Sequence, residues 1–144
     1  DNPVVGVAKR MNLFAYGTLM CPEIMQEVTG CHLRGEPCVL GGYSRRQVKG
    51  EHFPALLPEV GAVVEGIVYQ DVTASAWALL DRYEGDFYVL TPVWVTLQDE
   101  SVISASTYVV QHHFRELLDR SGWDFNDFID NAKADFVRSY RTDP

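Results

Sequence analysis

Asn12-Leu13-Phe14-Ala15-Tyr16-Gly17-Thr18-Leu19 is an apolar stretch that breaks at a glycine. Residues 12–16 read as a buried strand that stops at Gly17. Pro22 fits the first turn of a short helix, with Glu23 near its positive end, running toward Gly30. A strand that ends abruptly before a helix exposes several backbone N–H groups in one concavity, which can bind a carboxylate or stabilise an oxyanion. Gly17 is expected to supply a φ that other residues resist. On physical grounds alone, the same residues also fit an ordinary turn.

Residues 39–48 read as a strand, with Gly41-Gly42 marking a bulge or a close backbone approach. Residues 49–58 read as a polar, proline-marked loop carrying the apolar piece 53–57, and residues 63–69 as a β-branched strand. Thr73 has the character of an N-cap, with Val72 and Trp77 at the spacing of a hydrophobic staple around it. The helix that follows runs to about Tyr83 or Glu84 and stops at Gly85. Residues 88–97 and 102–110 alternate like paired strands, with Asp99 and Glu100 at the turn. Phe125, Phe128, Ile129, Ala132 and Phe136 repeat at helical spacing. Asp124 can cap that last helix, and Arg138 and Arg141 suit its negative end. The expected fold is α+β, a small mixed β-barrel with flanking helices.

The chain has 144 residues and a formal net charge of −8. That length suggests one domain, residues 11–144, with residues 1–10 set aside as a leader or flexible arm. An acidic chain is repelled by phosphate backbones and anionic lipid, which argues against nucleic-acid and membrane partners. No apolar run approaches the ~20 residues of a membrane span, and residues 1–10 lack a signal-peptide core. Cys21, Cys31 and Cys38 are odd in number and lack C-x-x-C spacing. They read as free thiols in a reducing, cytoplasmic compartment rather than a zinc or dithiol site. His112-His113 before Arg115-Glu116 lacks the H-E-x-x-H order, and His32 and His52 have no partner at metal spacing, so no metal is expected. Arg45-Arg46 reads as strand decoration, though the loop after them could reach a pocket mouth, and Trp77 and the 125–136 aromatic stripe read as core.

A second segment carries chemistry: Leu80-Asp81-Arg82-Tyr83-Glu84-Gly85-Asp86-Phe87-Tyr88. Glu84 falls where the helix ends and an aromatic cluster begins. Among Tyr83, Phe87 and Tyr88 a carboxylate would be partly desolvated, which raises its pKa toward the range of a proton shuttle, and a helix C-terminus pushes the same way. The competing reading makes Glu84 a solvated helix-end residue with the aromatics as core. Asp81 and Asp86 are rival carboxylates, which Arg82 could neutralise at the surface.

These segments together resemble the γ-glutamylcyclotransferase-like superfamily, and most closely its branch of γ-glutamylamine cyclotransferase and plant avirulence-induced proteins. The family's Tyr-Gly-(Thr/Ser)-Leu is Tyr16-Gly17-Thr18-Leu19 here. Its Pro-x-Leu segment is Pro54-Ala55-Leu56, and its Val-x-Gly-x-Val-Tyr strand is Val64-Glu65-Gly66-Ile67-Val68-Tyr69. Its Leu-Asp-x-x-Glu-Gly-x-x-Tyr motif runs from Leu80 to Tyr88 without a gap. Order and spacing agree over about residues 12–108, and the C-terminal helix lies outside the match. The resemblance implies a cofactor-independent enzyme that releases 5-oxoproline and an amine or amino acid from a small γ-glutamyl substrate. It makes Glu84 the catalytic residue and Tyr16, Gly17, Thr18 and Leu19 the pocket loop. Tyr88 and Tyr108 are further candidates for the pocket, and Tyr108 is read equally as a phenol donor or as packing. Two alternatives share that pocket: a γ-glutamyl-removing transferase or hydrolase, and a module that binds a small carboxylate without turnover.

Overall fold

The computed structural model describes residues 11–142, with side chains through residue 140. The leader or arm at 1–10 and the Arg141 side chain lie outside the described residues. The chain begins with strand β1 (Met11–Ala15), a 3₁₀ turn (Thr18–Met20) and helix α1 (Pro22–Thr29). Two long strands follow, β2 (Gly35–Gln47) and β3 (Pro54–Val72). Helix α2 (Ala74–Glu84) leads into β4 (Tyr88–Leu97) and β5 (Val102–Val110). After a 3₁₀ segment (His112–Leu117), one α turn (Phe125–Asp127) widens into a π turn (Phe128–Ala132) and continues as α3 (Lys133–Thr142).

The five strands close into a mixed barrel in the order β1-β3-β2-β4-β5, sealed by further pairing of β3 with β5. Most neighbours are antiparallel, but β5 runs parallel to β1 at Ser106 and to β3 at Val109. The α+β barrel expected from the sequence is therefore the fold. Alternation along β1 divides the apolar core. Phe14 and Tyr16 join Leu40, Leu56, Val68 and Val95 inside the barrel, whereas Leu13 and Ala15 face the layer under the helices with Met25, Trp77, Leu80 and Phe128.

Local signals explain the helix ends. Pro22 opens α1 at its first turn. Thr73 caps α2, its Oγ1 accepting from the Ala76 amide at 3.3 Å, and Val72 and Trp77 are both buried beside it. Asp124 Oδ2 accepts from the Asp127 amide at 2.9 Å. The expected loop at 49–58 is a correction: Pro54 already begins β3, and Pro58 pairs with Tyr43. A proline is tolerated as the first residue of a strand because its missing N–H is not needed there. Gly41-Gly42 does mark a break, since the register jumps from Gly41 opposite Val63 to Tyr43 opposite Pro58. Residues 59–62 bulge outward at that break, where Glu59 pairs with Arg46 at 2.9 Å. Among the described residues, no helix is long and apolar enough to cross a membrane.

Candidate active site

The loop after β1 is built backwards, with its carbonyls tied and its amides left open. Arg45 Nη1 donates to the Tyr16 carbonyl at 3.0 Å. The Met20 amide donates to the Gly17 carbonyl at 3.0 Å, and the Cys21 amide to the Thr18 carbonyl at 3.1 Å. Tyr69 Oη donates to the Leu19 carbonyl at 2.8 Å. The peptide bonds are trans, so each N–H points away from the carbonyl that precedes it. Among the described residues, the amides of Gly17, Thr18 and Leu19 meet no hydrogen-bond acceptor, although all three residues are buried. Buried amides normally have partners. Three successive open ones are the kind of concavity that can hold an anion.

Gly17 departs from the expectation made for it. Its φ is −128°, which any residue adopts. What the site requires is space: a Cβ on Gly17 would lie 2.9 Å from both Cδ and Cγ of Pro54. The proline of the 54–56 segment thus packs on the glycine of the loop, and Tyr88 Oη fixes that proline by donating to its carbonyl at 2.9 Å.

Glu84 is the last residue of α2, and Gly85 turns the chain out of the helix at φ 71°. That positive φ favours glycine. The Glu84 side chain is partly buried, lines the cavity and has no hydrogen-bond partner among the described residues. Burial pushes its carboxyl up to about 8, with the charge of Asp81 adding to the rise. Desolvation was the cause expected from sequence, and of the three aromatics named for it Tyr83 and Tyr88 line the cavity whereas Phe87 does not. Phe87 stacks instead on Phe114, away from the cavity lining. Asp81 is no bystander either: its Oδ1 accepts from Tyr108 Oη at 2.6 Å. Asp86 is exposed, and its carbonyl accepts from Gln111 Nε2.

All seven candidate residues line one cavity of about 280 Å³: Glu84, Tyr16, Gly17, Thr18, Leu19, Tyr88 and Tyr108. Some 65 residues of chain separate Glu84 from the loop, and the barrel closes that gap by bringing the end of α2 over the end of β1. Tyr16 Oη donates to the Tyr108 carbonyl at 2.6 Å, and Thr18 Oγ1 shares a 2.8 Å hydrogen bond with Tyr83 Oη. Burial, joined by the negative charge of Glu84, raises the phenols of Tyr16 and Tyr83 above their ordinary value. Burial raises Tyr88 as well, and burial together with the bond to Asp81 raises Tyr108. These hydroxyls stay protonated as donors. Among these cavity groups the Glu84 carboxyl is the one that burial draws toward the range of a proton carrier.

Sequence reasoning missed two parts of the wall. Glu51, His52 and Phe53 contribute from the turn before β3, and Phe136, Ser139 and Tyr140 from α3. The 125–136 stripe was read as core, which holds for Phe128. Phe136, Ser139 and Tyr140 continue the stripe at i, i+3 and i+4, the spacing of one helix face. That face could have been extended past Phe136. Among the described residues, no three His, Cys, Asp or Glu side chains gather as a metal site.

A family model described as "Gamma-glutamyl cyclotransferase, AIG2-like" matches residues 13–125. The chain is 32% identical over 128 residues to AIG2-like protein C of Arabidopsis thaliana, covering 88% of this chain and 73% of that protein. A solution structure of an Arabidopsis thaliana protein superposes with a TM-score of 0.72 at 24% identity, over 93% of this chain and 81% of that one. A structure titled gamma-glutamyl cyclotransferase superposes with a TM-score of 0.63 at 19% identity, over 72% of this chain and 68% of that one. At such identities the two superpositions speak for the fold.

Proposed function

The chain belongs to the gamma-glutamyl cyclotransferase, AIG2-like family, and on that premise we propose that it releases 5-oxoproline from a γ-glutamyl compound by intramolecular aminolysis. Glu84 acts as acid and base. The observation that carries this reading is the Glu84 carboxyl: it lacks a hydrogen-bond partner among the described residues, faces the cavity and is pushed up to about 8. A peptide α-amino group ordinarily titrates at about 8, and the α-ammonium of a γ-glutamyl unit, beside its own free carboxylate, somewhat higher. A carboxyl raised toward its proton source exchanges protons in either direction at smaller cost than an ordinary one, which is what one group serving both roles requires.

The α-ammonium of the γ-glutamyl unit gives a proton to the Glu84 carboxylate. The freed amine attacks the γ-carbonyl carbon, and a carbon–nitrogen bond forms as the carbonyl oxygen takes up negative charge. Collapse breaks the original amide bond, and the leaving nitrogen takes its proton from Glu84. Overall the α-nitrogen loses two protons and the leaving nitrogen gains two, so the products are a neutral lactam and an ammonium. One carboxyl that alternately takes and gives covers both transfers. Nucleophile and electrophile share one molecule, so the proximity cost is already met, and this chemistry calls for no metal or organic cofactor. The amides of Gly17, Thr18 and Leu19 hold the oxyanion or the substrate carboxylate. The activity belongs in the cytoplasm, where the thiols of Cys21, Cys31 and Cys38 stay reduced.

A module that only bound a carboxylate would gain nothing from Glu84 in its pocket. A panel of γ-glutamyl amines, γ-glutamyl amino acids and glutathione, assayed for 5-oxoproline, tests the reading. Release from at least one member supports it. Free glutamate in place of 5-oxoproline would assign a hydrolase instead, and binding of 5-oxoproline without turnover of any member would leave a binding module.

A further inference from the structure

We infer that Arg45 is a positioning residue of the cavity, holding the Tyr16–Gly17 peptide so that the Gly17 N–H faces the substrate. The inference rests on the function proposed above and adds a residue to it that the family motifs do not contain. Sequence reading placed Arg45 beside Arg46 as strand decoration, and the structure separates the two. Arg46 turns outward to Glu59 on the bulge of β3, at 2.9 Å. Arg45 reaches across the barrel wall, where its Nη1 donates both to the Tyr16 carbonyl at 3.0 Å and to the Glu65 carbonyl at 3.1 Å.

A peptide bond is planar, so gripping its oxygen fixes its N–H in the opposite direction. The Tyr16 carbonyl is drawn toward Arg45, and the Gly17 N–H therefore points away from it, on the side where Gly17 lines the cavity. Gly17 has no Cβ to resist rotation of this peptide, so the orientation depends on the grip. The other carbonyls of the loop are tied by two local amides and by Tyr69. Among the described residues, only the peptide leading into Gly17 is held by a charged side chain.

Arg45 is itself braced. Its guanidinium lies 5.8 Å from the centre of the Trp123 ring, and the carboxylates of Asp124 and Glu65 favour its charge against burial. Both hydrogen bonds to main-chain oxygens leave from Nη1, whose two N–H groups are held in the plane of the guanidinium, a fixed geometry that the freely turning ammonium of a lysine does not supply. The other side of Arg45 borders a second cavity of about 480 Å³, lined also by Cys38, Glu65, Thr96 and Asp124. A small cation can therefore reach the place of a deleted Arg45 side chain without crossing the substrate cavity.

The test uses Arg45→Ala and Arg45→Lys, with Arg46→Ala as the control, all confirmed as folded by melting curves. Two readouts are taken: the amide shifts of Gly17, Thr18 and Leu19 on titration with 5-oxoproline, and turnover of the best γ-glutamyl substrate. Expected is a loss on the order of tenfold or more in kcat/KM for Arg45→Ala, as when a single oriented donor is lost. Partial recovery should follow on adding guanidinium at concentrations below those that unfold the protein. Arg45→Lys should also be impaired, and Arg46→Ala should match the wild type. In the wild type, 5-oxoproline should shift the Gly17 amide strongly, and in Arg45→Ala weakly. Full turnover and an unchanged Gly17 response in folded Arg45→Ala would overturn the inference. So would a loss that guanidinium does not relieve. Wild type that binds 5-oxoproline without turnover would overturn the proposed function alone, and the Gly17 response would still decide the role of Arg45. Wild type that does neither would sink both.

Discussion

The two walls of the cavity differ in how they are held. On one wall, Tyr16-Gly17-Thr18-Leu19 is buried, and every carbonyl from Tyr16 to Leu19 is tied by a hydrogen bond of 2.8 to 3.1 Å. On the other, α3 presents Phe136 and Tyr140, partly exposed and touching Tyr83 edge-on at 6.4 and 5.3 Å. Its ion pairs, Lys133 with Glu23 and Arg138 with Asp135, lie near the surface, where such pairs contribute little. The family match spans the first wall and ends at residue 125, before α3 begins. Under the proposed function, a backbone surface fixed from behind suits the step common to all γ-glutamyl substrates, and a wall of separately replaceable side chains suits choosing among them.

The largest effect is expected at the junction of the two walls. Glu84→Gln keeps the size of the side chain but carries no proton, so kcat should fall on the order of 10²-fold or more. The same variant should be the more stable protein at neutral pH. Burial pushes the Glu84 carboxyl in the folded chain up to about 8 from its ordinary value of 4.5, which the unfolded chain keeps. Between those values the folded chain binds the extra proton, so wild type loses stability as pH rises, by at most about 1.4 kcal/mol per unit. Denaturant melts of the pair from pH 4 to 9 should show the variant's advantage growing to pH 8 and then levelling. An advantage that does not change with pH would separate Glu84 from the desolvated wall.

A smaller loss should follow from crowding the fixed wall. Gly17→Ala drives a methyl group to 2.9 Å from the Pro54 ring. Stability should fall by about 1–3 kcal/mol, the usual cost of overpacking, and kcat/KM by roughly tenfold as the loop amides shift. Turnover and melting temperature together report it. Smaller still is the effect of thinning the other wall: Tyr140→Ala should raise KM by roughly fivefold and leave kcat nearly unchanged, the signature of lost ground-state binding. It should also alter the ranking of leaving groups in the substrate panel. A collapse of kcat in Tyr140→Ala would erase the distinction between the walls.

The same contrast separates what was legible in the sequence from what was not. The fixed wall is encoded locally. An apolar strand broken by Gly17, a helix capped by Thr73 and stopped by Gly85, and alternating β4 and β5 are all short-range patterns, and the structure follows them. The barrel was legible because those strands exceed what one open sheet needs. The long β3 was not, because Pro54 and Pro58 carry loop signals that long-range pairing with β2 overrides. The hydrogen bonds of Arg45 to Tyr16 and of Tyr108 to Asp81 join positions 29 and 27 residues apart, and no local pattern announces either. The α3 wall was half visible: its stripe was read, but a helix face that lines a cavity has the same spacing as one that fills a core.

The smallest predicted change is also the most specific. Asp81→Asn removes a negative charge that raises Glu84, so the Glu84 titration should move to lower pH, and the acid limb of kcat/KM with it. The most direct test of Glu84 as proton carrier needs no substrate. The side-chain carboxyl carbon of Glu84, assigned in ¹³C-labelled protein by its absence in Glu84→Gln, is followed through a pH titration. A midpoint near 8 is the result expected from the structure. A midpoint near the ordinary glutamate value of 4.5 would mean a solvated carboxylate and would contradict its role as acid and base.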